Sequence, residues 1–129
     1  MIIRIDQMDR MPVYQQIRNQ IVAAIGQGEL CPADRLPSVR SLASDLGINI
    51  HTVNKAYAVL RDEGYLFMRG RSDAIVADFK QTATPERIAI NSEELAEKLQ
   101  RLALEYRAQG GTKESFLEIA HTQAKYAFV

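Results

Sequence analysis

Leu42-Ala43-Ser44-Asp45-Leu46-Gly47-Ile48-Asn49, running on into Thr52-Val53-Asn54-Lys55-Ala56-Tyr57, is the stretch that decides the fold. Val39, Leu42, Ala43 and Leu46 form the buried stripe of one short helix, with Ser38 as its cap. Gly47 stops that helix, because only glycine takes a left-handed backbone without cost. Ile48 points back inward, and Asn49 caps a second helix that runs to about Glu63. The inward positions of that helix are Val53, Ala56, Tyr57 and Leu60, and Gly64 ends it. Ala43 is small where the second helix crosses close by. Two helices joined by so tight a turn have the spacing of a helix-turn-helix. A generic helical hairpin is the alternative, and the flanking sequence decides between them.

Upstream, Pro12 opens a helix over 12–27, with Tyr14, Ile17, Ile21 and Ala24 at helical spacing and Gly26 and Gly28 closing it. Residues 2–5 are expected to form a short strand, and 28–37 a connection with two prolines. Downstream, Tyr65–Arg69 and Ala74–Ala77 flank a polar turn and read as a β-hairpin. Three helices followed by a hairpin favour DNA binding. The expected fold class is mainly α with a small β-hairpin: a winged helix-turn-helix over 1–77, a linker over 78–91 and a two-helix region over 92–129. Asn91 with Glu94 resembles a capping box, and Leu95, Leu99, Leu102 and Tyr106 make a narrow stripe suited to a partner helix. Gly110 and Gly111 break that helix, and Thr112 starts the last one, which contains Phe116 and Ile119.

The ordered motifs over 12–76 resemble the GntR family of bacterial transcription regulators. Pro12-Val13-Tyr14-Gln15-Gln16-Ile17 resembles its opening helix. Gly28-Glu29-Leu30, Pro32 and Asp34-Arg35-Leu36-Pro37-Ser38-Val39-Arg40 are similar to its most distinctive stretch, and Leu46-Gly47-Ile48-Asn49 through Glu63-Gly64 continues it. The two short helices after the wing resemble the small YtrA-type subfamily, whose tail serves dimerisation. The resemblance implies a homodimeric repressor and, as a prior, control of an ABC transporter operon. Two departures stand out. Ala33 replaces the usual glycine after the loop proline. In the wing, Gly70-Arg71-Ser72-Asp73-Ala74-Ile75-Val76 either carries an insertion after Gly70 or has Asp73 in place of the second glycine.

With Val53, Ala56, Tyr57 and Leu60 inside, the reading helix presents His51, Asn54, Lys55, Ala58 and Arg61 outward. Its start, Asn49-Ile50-His51-Thr52, is expected in the major groove. Asn54 suits a bidentate contact with adenine, and His51 a guanine edge or a phosphate. Thr52 and Lys55 are expected to hold phosphates, and Ser38 to offer its hydroxyl and nearby amides to one. The resemblance implies that Arg40 reaches the DNA. Arg69, Gly70 and Arg71 would set the wing on the backbone or in the minor groove. Arg35 either contacts DNA or pairs with Asp34 or Asp45, and Arg61 is either a solvated charge or a contact. The proposed dimer seam is Leu95, Leu99, Leu102, Tyr106, Phe116 and Ile119, so that two heads meet an inverted repeat. An interaction adaptor on the same scaffold, or a regulator with a small interdomain ligand site, are the alternatives.

Composition bounds these readings. The chain has 129 residues, 47% hydrophobic and 25% charged, as an ordinary soluble globular protein has. One cysteine, Cys31, excludes an intramolecular disulfide and suits a reducing cytoplasm; its neighbours Leu30 and Pro32 favour an inert thiol over a redox sensor. With His51 and His121 the only histidines, no metal site is expected. No catalytic motif, cofactor signature, membrane span or signal peptide is apparent. Lys plus Arg equal Asp plus Glu at 16 each, and residues 1–78 hold nine of each sign. Yet 35–71 sets Arg35, Arg40, Lys55, Arg61, Arg69 and Arg71 against only Asp45, Asp62 and Glu63, a modestly basic stretch.

Overall fold

The computed structural model describes residues 1–81 and 83–128. It forms two compact units, Met1–Phe79 and Lys80–Val129. In the first, the elements are α1 (Val13–Gly26), α2 (Val39–Leu46), α3 (Ile50–Asp62), β1 (Leu66–Arg69) and β2 (Asp73–Val76). The apolar stripes read from the sequence meet in one core: Ile17 and Ile21 of α1, Leu42 and Ala43 of α2, and Val53, Ala56, Tyr57 and Leu60 of α3, closed by Leu66, Ala74 and Val76 of the hairpin.

The helix ends follow local chemistry. Ser38 Oγ accepts from the Ser41 amide (3.1 Å) and Asn49 Oδ1 from the His51 amide (2.8 Å). Each such cap contributes about 1 kcal/mol. Gly47 takes φ 66° and ψ 35° between them, the left-handed turn its place requires. The capping bond engages the Asn49 side-chain oxygen and leaves its Nδ2 to donate to a ligand. Pro12 sits at the N-cap of α1 rather than inside it.

Residues 2–5 form no strand. Side-chain amides of α1 satisfy their backbone instead: Gln20 Nε2 donates to the Arg4 carbonyl (2.7 Å), and the Arg4 amide donates to Gln20 Oε1 (2.9 Å). The buried Gln16 does the same for Asp6, whose amide donates to Gln16 Oε1 and whose carbonyl accepts from Gln16 Nε2, both at 2.9 Å. Ile3 and Ile5 pack on the core beside it.

The connection at 28–37 is not a plain loop. Its Ala33 and Leu36 amides donate to the Val76 and Ala74 carbonyls, and the Val76 amide donates to Asp34, each at 2.9 Å, so the ribbon flanks β2 as a third line of pairing. Ala33 reaches this position at φ 73°, where a Cβ is strained. That conformation costs roughly 1 kcal/mol or more for a non-glycine residue. Ala33→Gly is therefore expected to raise the thermal midpoint by about 4–8 °C, the shift that about 1 kcal/mol gives in a domain of this size. A midpoint that stays level or falls would show the strain to be absent.

In the hairpin, Leu66 pairs with Val76 and Arg69 with Asp73. The turn is thus Gly70-Arg71-Ser72, with Gly70 at φ 69°, and Asp73 belongs to the strand rather than to the turn.

The second unit holds α4 (Pro85–Ala108) and α5 (Lys113–Ala127). Here the expected linker over 78–91 is corrected, because α4 begins at Pro85 and takes in residues 85–91. Thr84 Oγ1 accepts from the Arg87 amide (3.2 Å), Pro85 is pre-shaped for the first turn, and Glu86 faces the positive end of the helix. That start signal is complete, so Asn91 lies inside the helix and is no cap. Thr112 caps α5 by accepting from the Ser115 amide (3.2 Å), and Gly110 turns the chain at φ 93°. The ring of Tyr106 lies where a side chain on Gly111 would stand. No described residue of α4 or α5 is buried.

Candidate nucleic-acid interface

The exposed face of α3, the start of α2 and the wing surround one concave surface. Ser38 and Arg40 line it from α2, His51 and Asn54 from α3, and Arg71 from the wing. Five of the expected contact residues are thus brought together on one surface. Among the described residues Arg40, Arg61 and Arg71 form no ion pair. The surface therefore combines unopposed cations with hydrogen-bonding side chains on a projecting helix.

Tyr57 ties the parts together. It is buried, and its hydroxyl donates to the Pro37 carbonyl at 2.7 Å, fastening the start of α2 to α3. Burial pushes the phenol pKa up, so the group remains a donor. On the far side Arg18 grips Glu63 with two bonds of 2.9 and 2.7 Å and lies over the Tyr65 ring, bracing α1 to the end of α3. The Glu63 bond leads in raising the Arg18 pKa.

Other expected contacts fall elsewhere. Lys55 sets its ammonium 4.1 Å above the centre of the Tyr14 ring, a cation–π contact with α1, and does not line the concavity. Arg35 pairs with neither Asp34 nor Asp45. Its Nε lies 3.5 Å from Asp73 Oδ1, while Asp34 accepts from the Cys31 amide (2.8 Å). Arg69 also reaches Asp73, at 3.8 Å. Asn49, Thr52 and Gly70 stand beside the concavity without lining it.

Arg61, Met68 and Ser72 were given no role by the sequence reading, or an undecided one, and Ile50 was placed at the groove without a contact of its own. Arg61, read as either a solvated charge or a contact, lines the concavity. Ile50, Met68 and Ser72 join it. Ile50 is 38% exposed at the first position of α3, where an apolar side chain suits a thymine methyl. An apolar residue just after a cap, outside the buried stripe, is the signal that marks it.

In the tail, Tyr106 and Phe116 face each other across the α4–α5 turn, ring centres 6.1 Å apart, and the Tyr106 hydroxyl meets Ser115 Oγ at 2.7 Å. Those two members of the expected seam are engaged within the chain. Leu95, Leu99, Leu102 and Ile119 remain 43–57% exposed. Among the described residues no group of three His, Cys, Asp or Glu side chains is placed to hold a metal ion, and no helix is long and apolar enough to cross a membrane.

A helix-turn-helix whose second helix projects polar side chains, flanked by a hairpin wing, defines a winged-helix DNA-binding head. The chain belongs to the gntR family of bacterial regulatory proteins, whose model matches residues 13–76. It is 37% identical to the HTH-type transcriptional repressor YtrA of Bacillus subtilis over 94 residues, 72% of each chain. Among solved structures, YtrA from Sulfolobus acidocaldarius, a GntR-family transcription factor, is 42% identical with a TM-score of 0.58, over 74% of this chain and 99% of that one. A transcriptional antiterminator from Listeria monocytogenes shares the fold, with a TM-score of 0.82 at 24% identity over all of this chain and 94% of that one. The DNA-binding domain of AraR in complex with operator ORX1 is 26% identical, with a TM-score of 0.51 over 57% of this chain and 92% of that one. The protein is thus a YtrA-type transcription regulator and not an enzyme.

Proposed function

We propose that the chain is a cytoplasmic homodimeric repressor that occupies an inverted-repeat operator, with a transporter operon as the regulated unit. The observation that carries the operator reading is the concavity in which Arg40, His51, Asn54 and Arg71 converge around the projecting α3. The start of α3 enters the major groove, Asn54 reads adenine, and His51 takes a guanine edge or a phosphate. Arg40, with Ser38 beside it, fixes the register on the backbone, and the Gly70-Arg71-Ser72 tip of the wing reaches the flanking groove. Arg35, Asn49, Thr52, Lys55 and Arg69 stand around this set, and a phosphate would have to draw Lys55 off Tyr14 and the two arginines off Asp73. Dimerisation rests on the stripe Leu95, Leu99 and Leu102 with Ile119, because a pair of helices with nothing buried has no core of its own.

Selection from random duplexes tests the reading directly, and a palindromic motif is the expected result. Asn54→Ala is then expected to cost about 1–3 kcal/mol and to relax the preference at a single position of each half-site. A selection that enriches no motif would instead favour an interaction adaptor. An Asn54→Ala protein with unaltered preference would take Asn54 out of the reading set.

A further inference from the structure

The wing holds a carboxylate between two arginines that come from different parts of the chain. Asp73 opens β2 directly opposite Arg69, and Arg35 reaches it from the ribbon that bridges to Ile75. The distances are 3.8 Å from Arg69 Nη2 to Oδ2 and 3.5 Å from Arg35 Nε to Oδ1. Both exceed the usual length of a charge-assisted hydrogen bond. The side chains of Arg35 and Arg69 are 68% and 66% exposed, whereas that of Asp73 is 30% exposed. Such solvated pairs are weak and easily exchanged. A DNA phosphate likewise offers a guanidinium two acceptor oxygens, and its binding also releases counterions.

We propose that Asp73 is a built-in competitor of phosphate: it holds Arg35 and Arg69 off the DNA backbone and so lowers the sequence-independent part of the head's affinity. Backbone contacts carry no sequence information, so every arginine free to take a phosphate strengthens all sites alike. Asp73 removes two such cations from the free head and adds a negative charge next to them. At the operator the contacts made by Asn54 and His51 remain, because neither residue touches this cluster. The balance of nine basic and nine acidic residues over 1–78 shows how much one carboxylate weighs: without it the head is net positive. The inference rests on the DNA-binding reading.

The test titrates the full-length protein, Asp73→Asn and Asp73→Glu with a random duplex and with the selected operator at several salt concentrations. Asp73→Asn is expected to bind the random duplex about 5-fold tighter and to steepen its log–log salt dependence by about 1 per head for each arginine that takes a phosphate. Operator binding tightens by a similar factor, so the operator-to-random ratio holds, and Asp73→Glu, which keeps the charge, stays close to the parent. Adding Arg35→Gln and Arg69→Gln to Asp73→Asn returns the slope to the parent value. Unchanged or weaker random-duplex binding in Asp73→Asn overturns the proposal, as does a steeper slope that survives loss of both arginines. A parent protein that binds no duplex at low salt overturns the DNA-binding reading itself, and that outcome is visible before any variant is compared.

Discussion

Cut after Phe79, the chain is expected to become monomeric and to lose operator affinity by about 10²–10⁴-fold, the gain that linking two binding modules confers. The head carries its own core from Ile17 to Val76, so the truncation leaves a folded unit that still meets one half-site. What is lost is the second contact made intramolecular. Leu99 and Leu102 provide an independent route within the whole chain. Both lie exposed on α4, in the second unit, so Leu99→Lys with Leu102→Lys should dissociate the dimer and leave the thermal unfolding of the head intact. Sedimentation reads the mass and a half-site titration reads the residual affinity. A truncated chain that sediments as a dimer, or lysine variants that do, would remove the tail as the seam.

The parts of this molecule legible in its sequence are those specified locally. Ser38, Gly47 and Asn49 each act within a turn of their own position, and the apolar periods of α1, α2 and α3 report burial residue by residue. The outward set on α3 followed from the inward one. What escaped is non-local. Arg35 and Asp73 are far apart in sequence and meet only because the 33–36 ribbon flanks β2, and no spacing rule foretells that pairing. Lys55 reads as an outward charge on its own helix, and its partner Tyr14 belongs to another. At α4 two start signals competed. Asn91 with Glu94 has the right residues, but Thr84-Pro85-Glu86 comes first, and once a helix is nucleated there an interior asparagine is too weak a breaker to stop it. Tyr106 fitted the partner stripe by spacing and Phe116 was expected to close the seam, yet the two rings face each other across the close approach at Gly111.

Arg40→Glu should be the most damaging single substitution on the DNA face, and the reasons are separable. Arg40 is exposed near the start of α2, lines the concavity and has no ionic partner among the described residues, so its charge is available to a phosphate. Glutamate there reverses the charge beside the phosphates, yet the first turn of a helix favours an acid, so the head should remain folded with an unaltered or slightly higher thermal midpoint. Losing the phosphate contact costs about 1–3 kcal/mol per head, and repulsion adds to that. Two heads in one dimer then bring the loss to about 10³-fold or more at moderate salt. Arg40→Gln separates the terms, because it removes the contact without adding repulsion. Its salt slope should fall by about 2 for the dimer, one phosphate from each head. Unlike Asn54→Ala, neither variant should change which sequence is preferred, since a backbone contact sets register and not identity. An Arg40→Glu protein that kept parent affinity and slope would place Arg40 off the DNA and shift the anchoring role to Arg61 and Arg71.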